Sequence, residues 1–174
     1  MLSSEHSLAP GSVQHDWLIA DLERVRAAAA GAETPWVVVT LHRMLYTTQL
    51  CEEVDFANSL LLRQQLDPTL RRFRVNLVMA GHQHSFERSC PAFGGRCVEE
   101  ATHGTVHVTV GTGGAATEKC GFDPTGQHGN FSLARINKLG YARLAATPET
   151  LKMEFVTNED GAVWDTSTLR PWLP

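Results

Sequence analysis

The chain has 174 residues, of which 43% are hydrophobic and 20% charged, and its net charge is −4. That length fits one ordinary domain, the composition argues against disorder, and the charge leaves no electrostatic case for nucleic acid. No apolar stretch approaches the length of a membrane span, so no membrane partner is expected.

Residues 1–10 carry neither a positive segment nor a long apolar core and do not read as a signal peptide. Pro10-Gly11 marks a turn, and Ser12 is a candidate cap for a helix with apolar positions at Trp17, Leu18, Leu22 and Val25. The Ala27–Ala30 run extends that helix, Gly31 is its expected stop, and Trp17 is expected in the core. Pro35-Trp-Val-Val-Val-Thr-Leu41 reads as a strand covered on both faces, and His42-Arg43 stands at its carboxyl end. Residues 44–54 read as loop and Phe56–Gln65 as helix. Asp67-Pro68 has the cap-and-proline signature of a new helix. Arg71, Arg72 and Arg74 form its solvated side.

Val75–Ala80 is a second buried strand, followed by Gly81-His82-Gln83-His84. Gly81 is expected to allow a sharp turn. If the chain stays extended beyond it, His82 and His84 leave the same face. An isolated pair of this kind reads first as polar loop histidines. Here, however, two strands end in histidine. In a parallel pair those ends share one rim of the sheet, where α/β folds bind ligands and where imidazoles suit a transition metal.

Residues 14–80 thus read helix, strand, helix, strand, a parallel α/β layout. Thr105–Val110 alternates as a strand with His107 facing the same side as Thr105 and Thr109. Gly111-Thr-Gly-Gly114 lacks the lysine of a phosphate loop and reads as a structural turn. Residues 140–146, 151–157 and 162–169 are short strands, with a hairpin turn at Asn158–Gly161. Cys90 and Cys97 flank a turn-rich hexapeptide. A disulfide there would contribute ~2.5 kcal/mol in an oxidising compartment, and two free thiols are the cytosolic alternative. Asn130-Phe131-Ser132 is a glycosylation sequon that matters only in a secreted chain.

Several segments, in order, resemble the purple acid phosphatases of the calcineurin-like metallophosphoesterases. Pro35–Tyr46 is similar to their PWxxxxGHRPMY, Asn76–Arg88 to DLVLAGHxHxYER, and Cys90–Cys97 to CPVxxxxC. Thr105–Gly114 is similar to VxxTVGxGG and Gly140–Leu144 to GYxRL. The resemblance implies an α/β chain: the C-terminal part of a metallophosphoesterase αββα sandwich. Residues 1–88 would form its parallel βαβ part with the ligand histidines, and 89–174 a mainly antiparallel part. It implies Fe(III) beside a divalent zinc, manganese or iron. His42 and His82 would ligate the divalent ion and His84 the iron; no histidine follows His42 in its loop, where many relatives contact phosphate, and Arg43 either takes that role as a planar donor or faces solvent. A phosphate monoester would be hydrolysed by metal-activated hydroxide, in a secreted, vacuolar or lysosomal protein.

The departures define the remaining expectations. The family's aspartate, bridging aspartate with tyrosine, and asparagine followed by His-Glu are absent. The chain by itself is therefore expected to bind at most one metal weakly, to be colourless and to be inactive. The alternative is a non-catalytic remnant or metal-binding fragment. Leu41 stands where the family has glycine, and Phe86 where it has tyrosine. Glu87-Arg88 is expected to form a structural ion pair. Strands deprived of neighbours would leave an apolar edge and favour self-association or a homo-oligomer.

Overall fold

The computed structural model describes residues 1–28, 36–99 and 104–171. The elements are α1 (Val13–Ala28), β1 (Val38–Leu41), α2 (Glu53–Arg72), β2 (Leu77–Ala80), β3 (Phe86–Ser89), β4 (Ala92–Phe93), β5 (Arg96–Cys97), β6 (Val106–Val110), β7 (Ser132–Ile136), β8 (Gly140–Ala146), β9 (Leu151–Thr157) and β10 (Val163–Leu169).

One five-stranded sheet runs β1-β2-β6-β3-β7. β1, β2 and β6 are parallel, while β3 lies antiparallel to both β6 and β7. β8, β9 and β10 form an antiparallel meander. Side chains along β2 alternate between two cores. Val78 and Ala80 pack with Leu18 and Leu22 of α1 and Leu62, Leu66 and Leu70 of α2. Leu77 packs on the other side with Phe86, Val106, Val108, Met153 and Phe155. The result is three layers, with helices on one face of the mixed sheet and the meander on the other, as the two-fold period of a doubly buried strand requires. Phe86 and Phe155 stack at 4.2 Å across the sheet-to-sheet interface.

α1 begins where the sequence places it. The Ser12 hydroxyl accepts from His15 N at 3.3 Å, relieving one unpaired amide of the first turn. The expected continuation through Ala30 and the stop at Gly31 lie outside the described residues, as does Pro35. Trp17 is not core but 50% exposed; the buried face carries His15, Leu18 and Leu22. His15 Nε2 meets Thr69 Oγ1 of α2 at 3.2 Å.

α2 corrects a second expectation. It is one continuous helix with Pro68 inside it, not two. Asp67 caps nothing: its carboxylate accepts from Tyr46 Oη at 2.6 Å and Gly94 N at 2.9 Å. Leu66 and Leu70, both buried, hold the helix against the sheet on either side of the proline. Their packing outweighs the ~3 kcal/mol that an interior proline costs. Glu87 and Arg88 do not pair with each other either. Glu87 accepts from Thr48 N at 3.0 Å, and Arg88 forms a two-point pair with Asp165 at 2.6 and 2.9 Å.

All four cysteines are paired. Cys90–Cys97 closes the β4–β5 hairpin, and Cys51–Cys120, which spacing did not suggest, joins two loops 69 residues apart.

Candidate metal centre

β1 and β2 pair in register from Val38 opposite Leu77 to Leu41 opposite Ala80. Their carboxyl ends therefore leave the sheet side by side. Gly81 N donates to His42 O at 3.0 Å, which extends the ladder by one more bond. Gly81 itself is ordinary, since a Cβ there would meet His42 at 3.9 Å. The turn is made one residue later: His82 adopts φ 66, a left-handed conformation that side-chain-bearing residues avoid. The chain is thus not extended through His82-Gln83-His84, and the shared-face argument for that pair fails.

The left-handed turn delivers His82 to its partner. His82 Nδ1 lies 3.1 Å from His42 Nε2, with the two rings edge to face at 4.9 Å between centroids. On the far side of the ring, His82 Nε2 lies 2.9 Å from Asp55 Oδ1. A carboxylate can only accept, so Nε2 carries the proton and the Nδ1 lone pair faces His42. Asp55 belongs to the first turn of α2 and is buried. Nothing in the sequence separated it from an acidic residue placed there for the helix dipole.

Arg43 sits 3.1 Å from Asp55 Oδ1 through Nη1 and 2.9 Å from Glu5 through Nε. Two of its donors are thereby committed to carboxylates, and its charge stands next to the histidine pair. Its Nη1 is 3.2 Å from His82 Nε2; with that nitrogen protonated, this is proximity and not a hydrogen bond.

His84 turns elsewhere. Its Nδ1 bonds Ala116 O at 2.9 Å, so Nδ1 is the protonated nitrogen and Nε2 keeps its lone pair. The structure thus brings His42 and His82 together, adds Asp55 behind them, and presents His84 on a separate support.

Two imidazole nitrogens 3.1 Å apart suit two ligands of a single cation. Metal–nitrogen bonds of about 2.0–2.1 Å at tetrahedral angles put neighbouring ligands roughly 3.3 Å apart. A carboxylate on the distal ring nitrogen is the usual support of a ligating histidine. A catalytic site needs a third protein ligand. Among the described residues, only Cys51, Glu118 and Cys120 bring three ligand atoms within 4.8 Å of one another. Both of those cysteines are bound in the disulfide. The chain's own residues fit part of one cation site and do not fit a two-metal centre.

Residues 104–166 match a family model described as iron/zinc purple acid phosphatase-like protein C. A relative from Arabidopsis thaliana, named "Probable inactive purple acid phosphatase 9", is 31% identical over 172 residues, 94% of this chain. Nearly the whole chain is thus similar to a part of the purple acid phosphatases. It spans 26% of that relative's length. A Hordeum vulgare nucleotide pyrophosphatase/phosphodiesterase is 28% identical over 95% of the chain, which spans 46% of it. The purple acid phosphatase from yellow lupin seeds superposes with a TM-score of 0.75 at 24% identity, over 97% of this chain and 30% of its own. At that identity the likeness speaks to the fold, and it matches the mixed sheet followed by antiparallel strands. The purple acid phosphatase segment seen here thus corresponds to the carboxyl-terminal part of such proteins.

Proposed function

We propose that this chain is the carboxyl-terminal, ligand-bearing part of a phosphate monoesterase of the purple acid phosphatase kind. It contributes His42 and His82 to a divalent cation and His84 to a second metal, and it is inactive by itself. The observation that carries this reading is the His42–His82–Asp55 line. Two ring nitrogens converge at the mouth of a parallel strand pair, and a buried carboxylate fixes the tautomer that aims one lone pair at the other ring. An exposed polar loop has no use for that order.

A bound divalent cation would supply positive charge to polarise a phosphate ester and to acidify a water molecule. The chain's own part is to hold the ligands and shape the field. Asp55 keeps the proton on Nε2 of His82. Arg43 fixes the Asp55 carboxylate and adds charge beside the pair, where a phosphate oxygen would approach. With two ligands from this chain for one cation and one for the other, turnover requires residues supplied by a longer polypeptide. A non-catalytic role is the second reading, favoured by the short ligand set and by relatives that carry "inactive" in their names.

Two disulfides and an exposed Asn130 in its sequon favour a secreted or vacuolar setting.

Zinc titrated into the chain is expected to perturb the ring nitrogens of His42 and His82, and Asp55→Ala to weaken that binding about 10–100-fold. Metal-loaded chain is expected to show no hydrolysis of a chromogenic phosphate monoester. Zinc without effect on either ring would sink the ligand assignment, and turnover above ~1 s⁻¹ would refute inactivity.

A further inference from the structure

His84 owes its ring orientation to one carbonyl, that of Ala116. Ala116 lies in a stretch without helix or strand, so no ladder holds that carbonyl in place. Two things tether the stretch to the site. Glu118 bonds the His84 backbone at both ends, with Oε1 3.4 Å from His84 N and its own amide 3.2 Å from His84 O. Two residues further on, Cys120 is joined covalently to Cys51.

Cys51 ends a loop that is itself wedged beneath the histidines. Thr47 Oγ1 donates to Gln83 Oε1 at 2.6 Å and Ser85 Oγ to Gln49 Oε1 at 3.3 Å, all four residues being buried. Leu50 N donates to Gly121 O at 3.0 Å and Asp123 N to Thr48 O at 2.6 Å, so the two loops also run together beside the disulfide. The covalent bond therefore closes a circuit: histidine loop, Thr47–Gln49, Cys51–Cys120, Ala116, and back to the His84 ring.

We infer that the Cys51–Cys120 disulfide is a positioning device for His84: it holds the Ala116 carbonyl where it fixes the proton on Nδ1 and leaves Nε2 free as a ligand. The His42–His82 pair lies outside this circuit. It is oriented by Asp55 on α2 and by the β1–β2 ladder. The purpose of the device rests on His84 being a metal ligand, as proposed above; the tautomer does not.

The test is nitrogen-detected imidazole NMR on the chain above neutral pH, comparing Cys51→Ser/Cys120→Ser with Cys90→Ser/Cys97→Ser. His84 is expected as a single Nδ1–H form in the parent chain and in the Cys90/Cys97 variant, and as a mixture in the Cys51/Cys120 variant. His82 is expected to stay Nε2–H in all three. A single Nδ1–H signal for His84 in the Cys51/Cys120 variant would overturn the inference, as would equal loss in the Cys90/Cys97 variant. Should the former not fold, Glu118→Ala keeps the disulfide and removes the side-chain half of the competing tether, leaving the amide bond to His84 O. Retention of the His84 form there supports the disulfide, and its loss assigns the role to Glu118 and overturns it. Zinc added to the parent chain separates the two proposals. Failure to perturb His42 and His82 rejects the ligand assignment and leaves the tautomer result standing.

Discussion

At the scale of single residues, His82 does two jobs at once. Its side chain meets His42, and its backbone makes the left-handed turn at φ 66. Left-handed backbone costs most residues about 1–2 kcal/mol, whereas histidine and asparagine adopt it more readily. His82→Asn is expected to keep the parent's urea midpoint and lose zinc binding. His82→Ala is expected to lose both, with about 1 kcal/mol of stability gone. Equal stabilities for the two variants would reject the account of the turn. His107 raises a different question. It is 4% exposed, packs 4.1 Å from the Tyr46 ring, and neither ring nitrogen has a partner. Burial, with the Arg63 guanidinium nearby, pulls its pKa from 6.5 down to about 3. Between those values the unfolded chain holds a proton that the folded chain refuses. Stability should therefore fall on acidification through that window, by up to about 1.4 kcal/mol per pH unit. Asp67, raised by burial, gives a slope of opposite sign and is common to parent and variant. His107→Gln is expected to flatten the dependence in thermal melts between pH ~6.5 and ~3, and an unchanged slope would contradict it. His42 and His82 were legible because each ends an apolar strand. Asp55 was not, because its role exists only once α2 has docked beside the pair.

Elements carry the next set of consequences. Gly111, which reads as a turn glycine, is where the end of β6 crosses the histidine loop. A Cβ there would lie 1.9 Å from Gln83 O, a backbone atom that cannot swing aside. Gly111→Ala is expected to cost about 1–3 kcal/mol as an overpacking change and to shift the His82 and His84 signals. A normal denaturant midpoint with unshifted histidines would show that the loop can yield. The parallel pair β1–β2 and the β8–β10 meander were legible from apolar runs and alternation. β3 was not, because Glu87-Arg88-Ser89 looks polar although each residue is satisfied or paired inside the fold. β7 was hidden because Leu133 points outward at 60% exposure while its neighbours Ala134 and Ile136 pack on the core, which blurs the strand's alternation. The break expected at Pro68 failed because a local signal was outvoted by the packing of Leu66 and Leu70.

Over the whole molecule, the three layers leave β1 at the border of the sheet, with Val38 37% exposed and, among the described residues, no strand on its outer side, where Leu2 N donates to Thr40 O at 2.8 Å. Such an edge invites pairing with a second copy. Sedimentation is expected to show self-association of the chain that grows with concentration, whereas a single monomeric species that melts cooperatively would count against it. The two disulfides have a further consequence. The small Cys90–Cys97 ring is nested inside the large Cys51–Cys120 ring, so one peptide-bond cut between residues 52 and 119 leaves a single covalent molecule. Such a nicked form would keep its size on a gel until a reductant released the pieces, with His42 on one fragment and, for a cut ahead of position 82, its histidine partner on the other.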